Sequence, residues 1–439
     1  MQPDRQVRTF LYKLSSARFW ILGFGFRASG FGRQVQWGDS RRPPYPSIIW
    51  LGFGTVLARP HAVAIAPVYS ILASPLHLAT VDVSSTADFD PRLAWQEEDL
   101  LMNSFGAFLK RKFGGRTQRV SIDAGFTCPN VDGAVAKGGC NFCDNRSFSP
   151  SRRVRLRQVS EQLQSGMTSV RERYDKVASF IAYFQPATNT YAPVEQLQEV
   201  FELAMSLDEQ VVGLAIGTRP DCVPESVLSM IQRLAAETYV SLEYGMQTIH
   251  DEGLVWMNRA HSHADMVNAM DRSRGRGFEC CAHVILGIPG ESYEMMMQTA
   301  HEIGVLGFDA VKIHNLYAVK DTPLGQQVLD GEIEMMKRDD YVKTVVDFLE
   351  RIPAEVVVER ISGDAPRNFL IAPQWCREKS KLRIDIEAEL RRRGTRQGSN
   401  FVPPAVRPED RPVPDDLTPQ AIRNQIETRG RLPVLKMQE

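Results

Sequence analysis

Residues 123–143 read DAGFTCPNVDGAVAKGGCNFC. Three cysteines, Cys128, Cys140 and Cys143, are spaced C-x11-C-x2-C on a stretch that also carries Gly133, Gly138 and Gly139. Glycine lets a loop wrap closely around an inorganic group without Cβ clashes. Four cysteines would complete a structural zinc site or a fully ligated iron–sulfur cluster. Three leave a cubane with one iron free of protein ligands, which is the logic of an open catalytic site. The alternative on ligand count is structural zinc, with a fourth ligand from Cys222, Cys376 or a histidine. The chain holds seven cysteines, an odd and modest number. Their crowding here points to metal ligation in a reducing compartment rather than to disulfides.

The segments around this loop set its context. Residues 119–124 (RVSIDA) alternate like a strand, so the cysteines follow a strand end. Residues 177–184 (VASFIAYF), 211–216, 239–246, 280–286 and 310–316 are further short apolar runs of β character. Between them lie helical patterns opening at Pro193 and Pro224 and spanning 292–303, with another at 339–351. Residues 100–113 read as a leading helix, and 355–361 as a seventh strand. This alternation predicts parallel strands joined by right-handed helical crossovers. The expected fold is α/β: a partial (β/α)6 TIM-type barrel over 100–352, with its chemistry at the C-terminal strand ends. A C-terminal extension over 353–400 carries a basic helix, and a proline-rich tail covers 401–439.

Composition bounds the rest. The 439 residues are 43% hydrophobic and 24% charged, as for a globular protein with a full core, which excludes collagen and a wholly disordered chain. Net charge is −1, so global charge predicts no polyanion partner and any such contact must be local. Residues 1–81 carry only two acids, Asp4 and Asp39, against nine arginines and lysines that include Arg5, Arg27 and Arg59. The apolar run 62–78 contains Pro67 and Pro75 and falls short of the roughly 18–20 residues a membrane helix needs. We therefore expect no membrane span. Residues 1–95 are expected to be an atypical extension, with ordinary globular character starting near Met102.

The cysteine loop, with Phe142 just before its last cysteine, resembles that of radical SAM enzymes. The long gap before CNFC is similar to the branch related to the Elongator catalytic subunit. The segments FIAYFQPATNTYAP (180–193), AIGTRPDCVP (215–224), VSLEYGMQTIHDEGLVWMNRAHS (240–262), HVILGIPGES (283–292) and HNLYAVKDTPL (314–324) resemble the same branch. Within it the resemblance is to the stand-alone bacterial YhcC/YtqA-type group. It covers about residues 103–398, including ISGDAPRNFLIAPQW and RRRGTRQG.

The resemblance implies that Cys128, Cys140 and Cys143 ligate a [4Fe–4S] cluster. S-adenosylmethionine would chelate the open iron, and its reductive cleavage would give a 5′-deoxyadenosyl radical. Gln185, at the end of the second strand, stands where many members carry two glycines and a glutamate. Arg219 is the candidate for the methionyl carboxylate, Glu243 and Gln247 for the ribose hydroxyls, and the Gly287–Gly290 turn for the adenine. Loop-fixing for Arg219 and a buried ion pair for Glu243 are equal alternatives. The branch implies a tRNA partner, with chemistry on a wobble-uridine side chain, an external electron donor such as flavodoxin or ferredoxin, and a cytoplasmic location. Arg146, Arg152, Arg153, Arg155 and Arg157, and the helix carrying Lys379, Lys381, Arg383, Arg391, Arg392, Arg393 and Arg396, are candidate phosphate contacts. Asp385, Glu387 and Glu389 make a solvated helix face the alternative. A small-metabolite substrate, or a non-catalytic metal-stabilised RNA-binding module, are the competing functions.

Overall fold

The computed structural model describes residues 92–153, 158–406 and 410. Its strands are β1 (Arg116–Ile122), β2 (Val177–Phe184), β3 (Val211–Thr218), β4 (Tyr239–Gln247), β5 (Glu279–Leu286), β6 (Ala310–Asn315), β7 (Ala318–Val319), β8 (Val357–Arg360) and β9 (Leu370–Ala372). Seven form one sheet in the order β1-β2-β3-β4-β5-β6-β8, and every neighbouring pair is parallel. β7 and β9 pair separately and antiparallel.

The apolar runs form parallel strands because both their faces are covered. In β2, Phe180, Ala182 and Phe184 join the large core between sheet and helices, while Ile181 and Tyr183 face the other way. There they meet Phe108, Leu109, Ala215, Cys281, Ala310 and Val357. Phe108 and Leu109 belong to helix Phe105–Phe113, which therefore plugs the inner face of the sheet. Pro193 and Pro224 occupy the N-cap positions of helices Val194–Ser206 and Glu225–Ala235, where a missing amide costs nothing. The sheet curls on itself. Arg119 on its first strand and Glu359 on its last meet in a two-pronged ion pair of 2.6 and 2.7 Å.

Three expectations shift. The leading helix starts at Phe105, not at residue 100, because Asn103 instead donates to the carbonyls of Arg92 and Glu355, both at 3.1 Å. The strand expected at 355–361 is β8, and because it pairs with β6 the boundary of the barrel moves beyond residue 352. Residues 92–95, expected to belong to the extension, pack into the fold: Trp95 is fully buried and its indole donates to the Ala354 carbonyl at 2.9 Å. The rest of the extension, the run 62–78, and the tail beyond 410 lie outside the described residues. Among the described residues no helix is long and apolar enough to cross a membrane.

The chain's entry and exit are stitched together. The Gln397 amide donates to the Leu101 carbonyl at 2.9 Å. Its side chain accepts from the Asn103 amide at 2.8 Å and donates to the Pro353 and Val356 carbonyls, both at 2.7 Å.

Candidate active site

Parallel strands place all their C-terminal ends on one side, so the loops after β1 to β5 share a mouth. The cysteine loop follows β1. Cys128 caps the short helix Pro129–Asp132, and its carbonyl accepts the Val131 and Asp132 amides at 2.8 and 3.1 Å. The remainder of the loop leans on the segment after β4. The Asn141 amide donates to the Met257 carbonyl at 3.1 Å, and its side chain to the Trp256 carbonyl at 2.7 Å. Asn258 donates to the Gly139 carbonyl at 2.7 Å, and Asn130 to the Asn258 and Arg259 carbonyls at 2.6 and 3.1 Å.

Two of these partners also reach sulfur. Arg259 Nη1 lies 3.3 Å and Asn130 Nδ2 3.6 Å from Cys140 Sγ. Arg259 is admitted by Gly245, where a Cβ would stand 2.8 Å from the guanidinium. The same guanidinium donates to the Gly245 carbonyl at 3.0 Å. Burial pushes the Cys143 thiol up; charge on Cys140 and Cys128 pushes it further, and Arg259 acts against them. The three thiols thus feel one another across the loop. Among the described residues no three His, Cys, Asp or Glu side chains converge on one ion. Zinc would need its sulfurs within about 4 Å of each other. One thiolate per iron on a larger cluster needs no such convergence, and the two N–H donors suit charged sulfur. Cys376, offered as a fourth zinc ligand, lies in a separate apolar cluster with Val319, Ala365 and Leu370.

The other candidates divide into two groups. Gln185, Gln247, Gly287 and Gly290 sit at the mouth. Gln185 accepts from the Ser121 hydroxyl at 3.2 Å. Gln247 has a φ of 67°, costly for a non-glycine residue and a pattern that clusters at functional sites. Gly287 and Gly290 have φ of 84° and 91°. The second group is spent inside the protein. Arg219 grips Asp221 with two bonds, 2.9 and 2.8 Å, and the Arg259 carbonyl with a third, 2.7 Å. That is the loop-fixing role, and it leaves no free fork for a carboxylate. Glu243 lies one layer below the mouth and fully buried. It ion-pairs with Lys312 and with Arg119 at 3.1 Å, and it hydrogen-bonds with His283 Nε2 at 2.9 Å. The alternative of a buried ion pair therefore describes it. The two cations and His283 hold its carboxyl well below the usual range, against the effect of burial.

Glu243 belongs to an ionic layer that no sequence pattern announced. Lys312 also meets Tyr183 Oη at 3.0 Å and Glu359 at 3.4 Å. Burial first, and then Glu243, push the Tyr183 phenol up to about 12. The one available signal was charge set in or beside each apolar run: Arg119 in RVSI, Lys312 in AVKI, Glu359 with Arg360 in VVER. At the mouth, Asn189 was also missed. Its Nδ2 donates to the Phe184, Pro186 and Gly217 carbonyls at 2.9, 3.1 and 3.0 Å. Its Oδ1 is buried without a partner, as are Asn130 Oδ1, Arg259 Nε and His261 Nδ1.

The basic candidates are less available than their number suggests. Arg152 pairs with Asp123 at 2.7 Å, Arg146 with Asp144 at 2.8 Å, Arg383 with Glu387 at 2.8 Å, and Arg392 and Arg393 with Glu389. Lys379 pairs with Asp364 at 2.6 Å. Arg155 and Arg157 lie outside the described residues.

Residues 135–303 match the family model described as the radical SAM superfamily, and 308–392 that of the radical SAM C-terminal domain. The chain is 40% identical over 293 residues to YtqA of Bacillus subtilis (strain 168), covering 67% of this chain and 90% of that protein. It is 35% identical over 313 residues to YhcC of Escherichia coli (strain K12), covering 71% and 98%. A more distant similarity, 26% over 181 residues, is to the tRNA uridine(34) acetyltransferase of Methanocaldococcus jannaschii, covering 40% of this chain and 32% of that one.

Proposed function

This chain belongs to the radical SAM superfamily, and on that premise we propose that it modifies tRNA, at the side chain of a wobble uridine, by radical chemistry. Enzymes of this superfamily use a [4Fe–4S] cluster and S-adenosylmethionine. The observation that carries the reading here is the three-cysteine loop after β1 with N–H donors aimed at Cys140.

In this reading Cys128, Cys140 and Cys143 hold the cluster, which when bound supplies the electron for cleaving S-adenosylmethionine. Asn130 and Arg259 stabilise charge on the sulfur of Cys140. Asn189 Oδ1, a buried acceptor without a partner beside the ends of β2 and β3, would take an N–H of the methionyl amine, with Gln185, without the family's usual glycines, bordering it. Gln247 would hold the ribose, and the Gly287–Gly290 turn would offer its backbone to the adenine. Helix Phe105–Phe113 and the apolar layer above it keep water from entering through the floor. The similarity to a tRNA uridine(34) enzyme supports the substrate class. The acid-paired basic helix supplies little for phosphate binding, so RNA contact falls to the mouth. A flavodoxin- or ferredoxin-type donor and a cytoplasmic location complete the proposal.

Anaerobically reconstituted protein is expected to hold about four irons per chain and, once reduced, to release 5′-deoxyadenosine. Stoichiometric zinc without deoxyadenosine would overturn the enzyme reading. Nucleosides digested from the tRNA of a deletion strain should lack one modified uridine. An unchanged profile would move the substrate to a small metabolite.

A further inference from the structure

β8 contains an irregularity that decides where its side chains face. Val311 pairs with Val358 and Lys312 with Arg360, so Glu359 is an extra residue opposite β6. Neighbours in a regular strand point to opposite faces. A bulge lets two consecutive side chains share one, and bulges recur next to active sites. Here both turn inward. Glu359 meets Arg119 and Lys312 within the curled sheet. Arg360 pairs in register with Lys312, whose side chain is inside, and His314, two residues further along β6, shares that face.

The interior charges then fail to cancel. Two carboxylates, Glu243 and Glu359, are matched by two cations, Arg119 and Lys312. Arg360 is a third cation, half-buried, and among the described residues its guanidinium has no hydrogen-bond or ion-pair partner. His314 lies beside it. The His314 and His283 rings are 5.7 Å apart, and His314 Nε2 is buried with nothing bonded to it. A neutral imidazole protonated at Nε2 is a donor there. Burial, then Arg360, His283 and Lys312, keep His314 neutral. A half-buried planar fork and a nearby buried N–H, neither with a partner among the described residues, are what an oxyanion completes.

We propose that Arg360 and His314 form an anion subsite, holding a carboxylate or phosphate group of the substrate by a two-pronged guanidinium contact and an imidazole N–H. That this anion belongs to the substrate rests on the radical reading above.

The test uses the full-length protein with its cluster reconstituted and S-adenosylmethionine present, titrated calorimetrically with inorganic phosphate and, separately, with acetate. Wild type is expected to bind at least one of them. Tighter phosphate assigns a nucleotide phosphate; tighter acetate assigns a carboxylate. Arg360→Gln should weaken that binding by about tenfold or more, the loss of one charge-assisted contact. Arg360→Lys should weaken it less, and it carries the test if the glutamine variant does not fold. His314→Gln should lower affinity a few-fold. No anion binding by wild type, or equal binding by wild type and Arg360→Gln, would overturn the subsite. So would an equal loss of S-adenosylmethionine affinity in Arg360→Gln, which would put that cofactor's own carboxylate there. Deoxyadenosine release by reduced wild type is scored apart. Its absence sinks the radical reading, whereas its presence without anion binding sinks the subsite alone.

Discussion

The cysteine loop and the ionic layer beneath it both gather ionisable side chains, and they are built in opposite ways. In the layer, Glu243 and Glu359 are matched by Arg119 and Lys312, so the group is complete as it stands. In the loop, like thiols lie near one another, and after burial Cys140 and Cys128 make Cys143 harder to ionise. A cluster of charges that satisfies itself is framework. One whose members repel is arranged for something that binds them. The contrast explains why Glu243, a chemically reasonable ribose contact, proves to be internal, and why Arg360, the layer's unmatched cation, stands out.

The contrast can be broken most directly at its two centres. Replacing Cys128, Cys140 and Cys143 by alanine should abolish iron binding and deoxyadenosine formation while the cluster-free protein keeps its thermal unfolding midpoint. A collapse of the fold would make the thiols framework too. Glu243→Gln should do the reverse. It leaves Glu359 alone to balance two buried cations and should cost about 3–5 kcal/mol in urea unfolding, whereas a loss under about 1 kcal/mol would mean that the layer is not self-balancing. Replacing Glu243 and Lys312 together by methionine should recover most of that loss, because the desolvation cost leaves with the pair.

A smaller effect is expected in pH dependence. Burial, followed by Arg259 and Arg219, lowers His261 to about 3, so it stays neutral in the folded chain. The unfolded chain binds that proton near pH 6.5. Stability tied to His261 is therefore whole above about 6.5 and declines as pH falls towards 3. Glu243, depressed well below the usual range, keeps its contribution until far more acid conditions. His261→Gln should flatten the urea midpoint between pH 6.5 and 4. An unchanged slope would place the titration elsewhere.

Much of the architecture was legible in the sequence, and the reasons are physical. A strand such as VASFIAYF is buried on both faces, so it reads as a solid apolar run wherever it sits. Proline before Val194 and before Glu225 announces a helix start by local chemistry alone. The cysteine loop carries its own spacing. What stayed hidden depends on distant partners. Arg119 and Glu359 are 240 positions apart and meet only because the sheet curls. Asn103 gives up the helix start for two remote carbonyls. The irregularity at Glu359 has no glycine or turn residue to mark it, so nothing local shows that Arg360 turns inward.

The stitch between Leu101 and Gln397 has a consequence for engineering. Leu101 and Gln397 lie one backbone hydrogen bond apart, so a very short connector can join them, at the cost of the buried Trp95 and of the contacts Asn400 makes with Glu350. New ends could then be cut in a surface turn such as that between Leu329 and Arg338. Such a circularly permuted molecule would keep every strand pairing of the sheet, and its rim could be decorated with tags or tethers without lengthening any loop that carries chemistry.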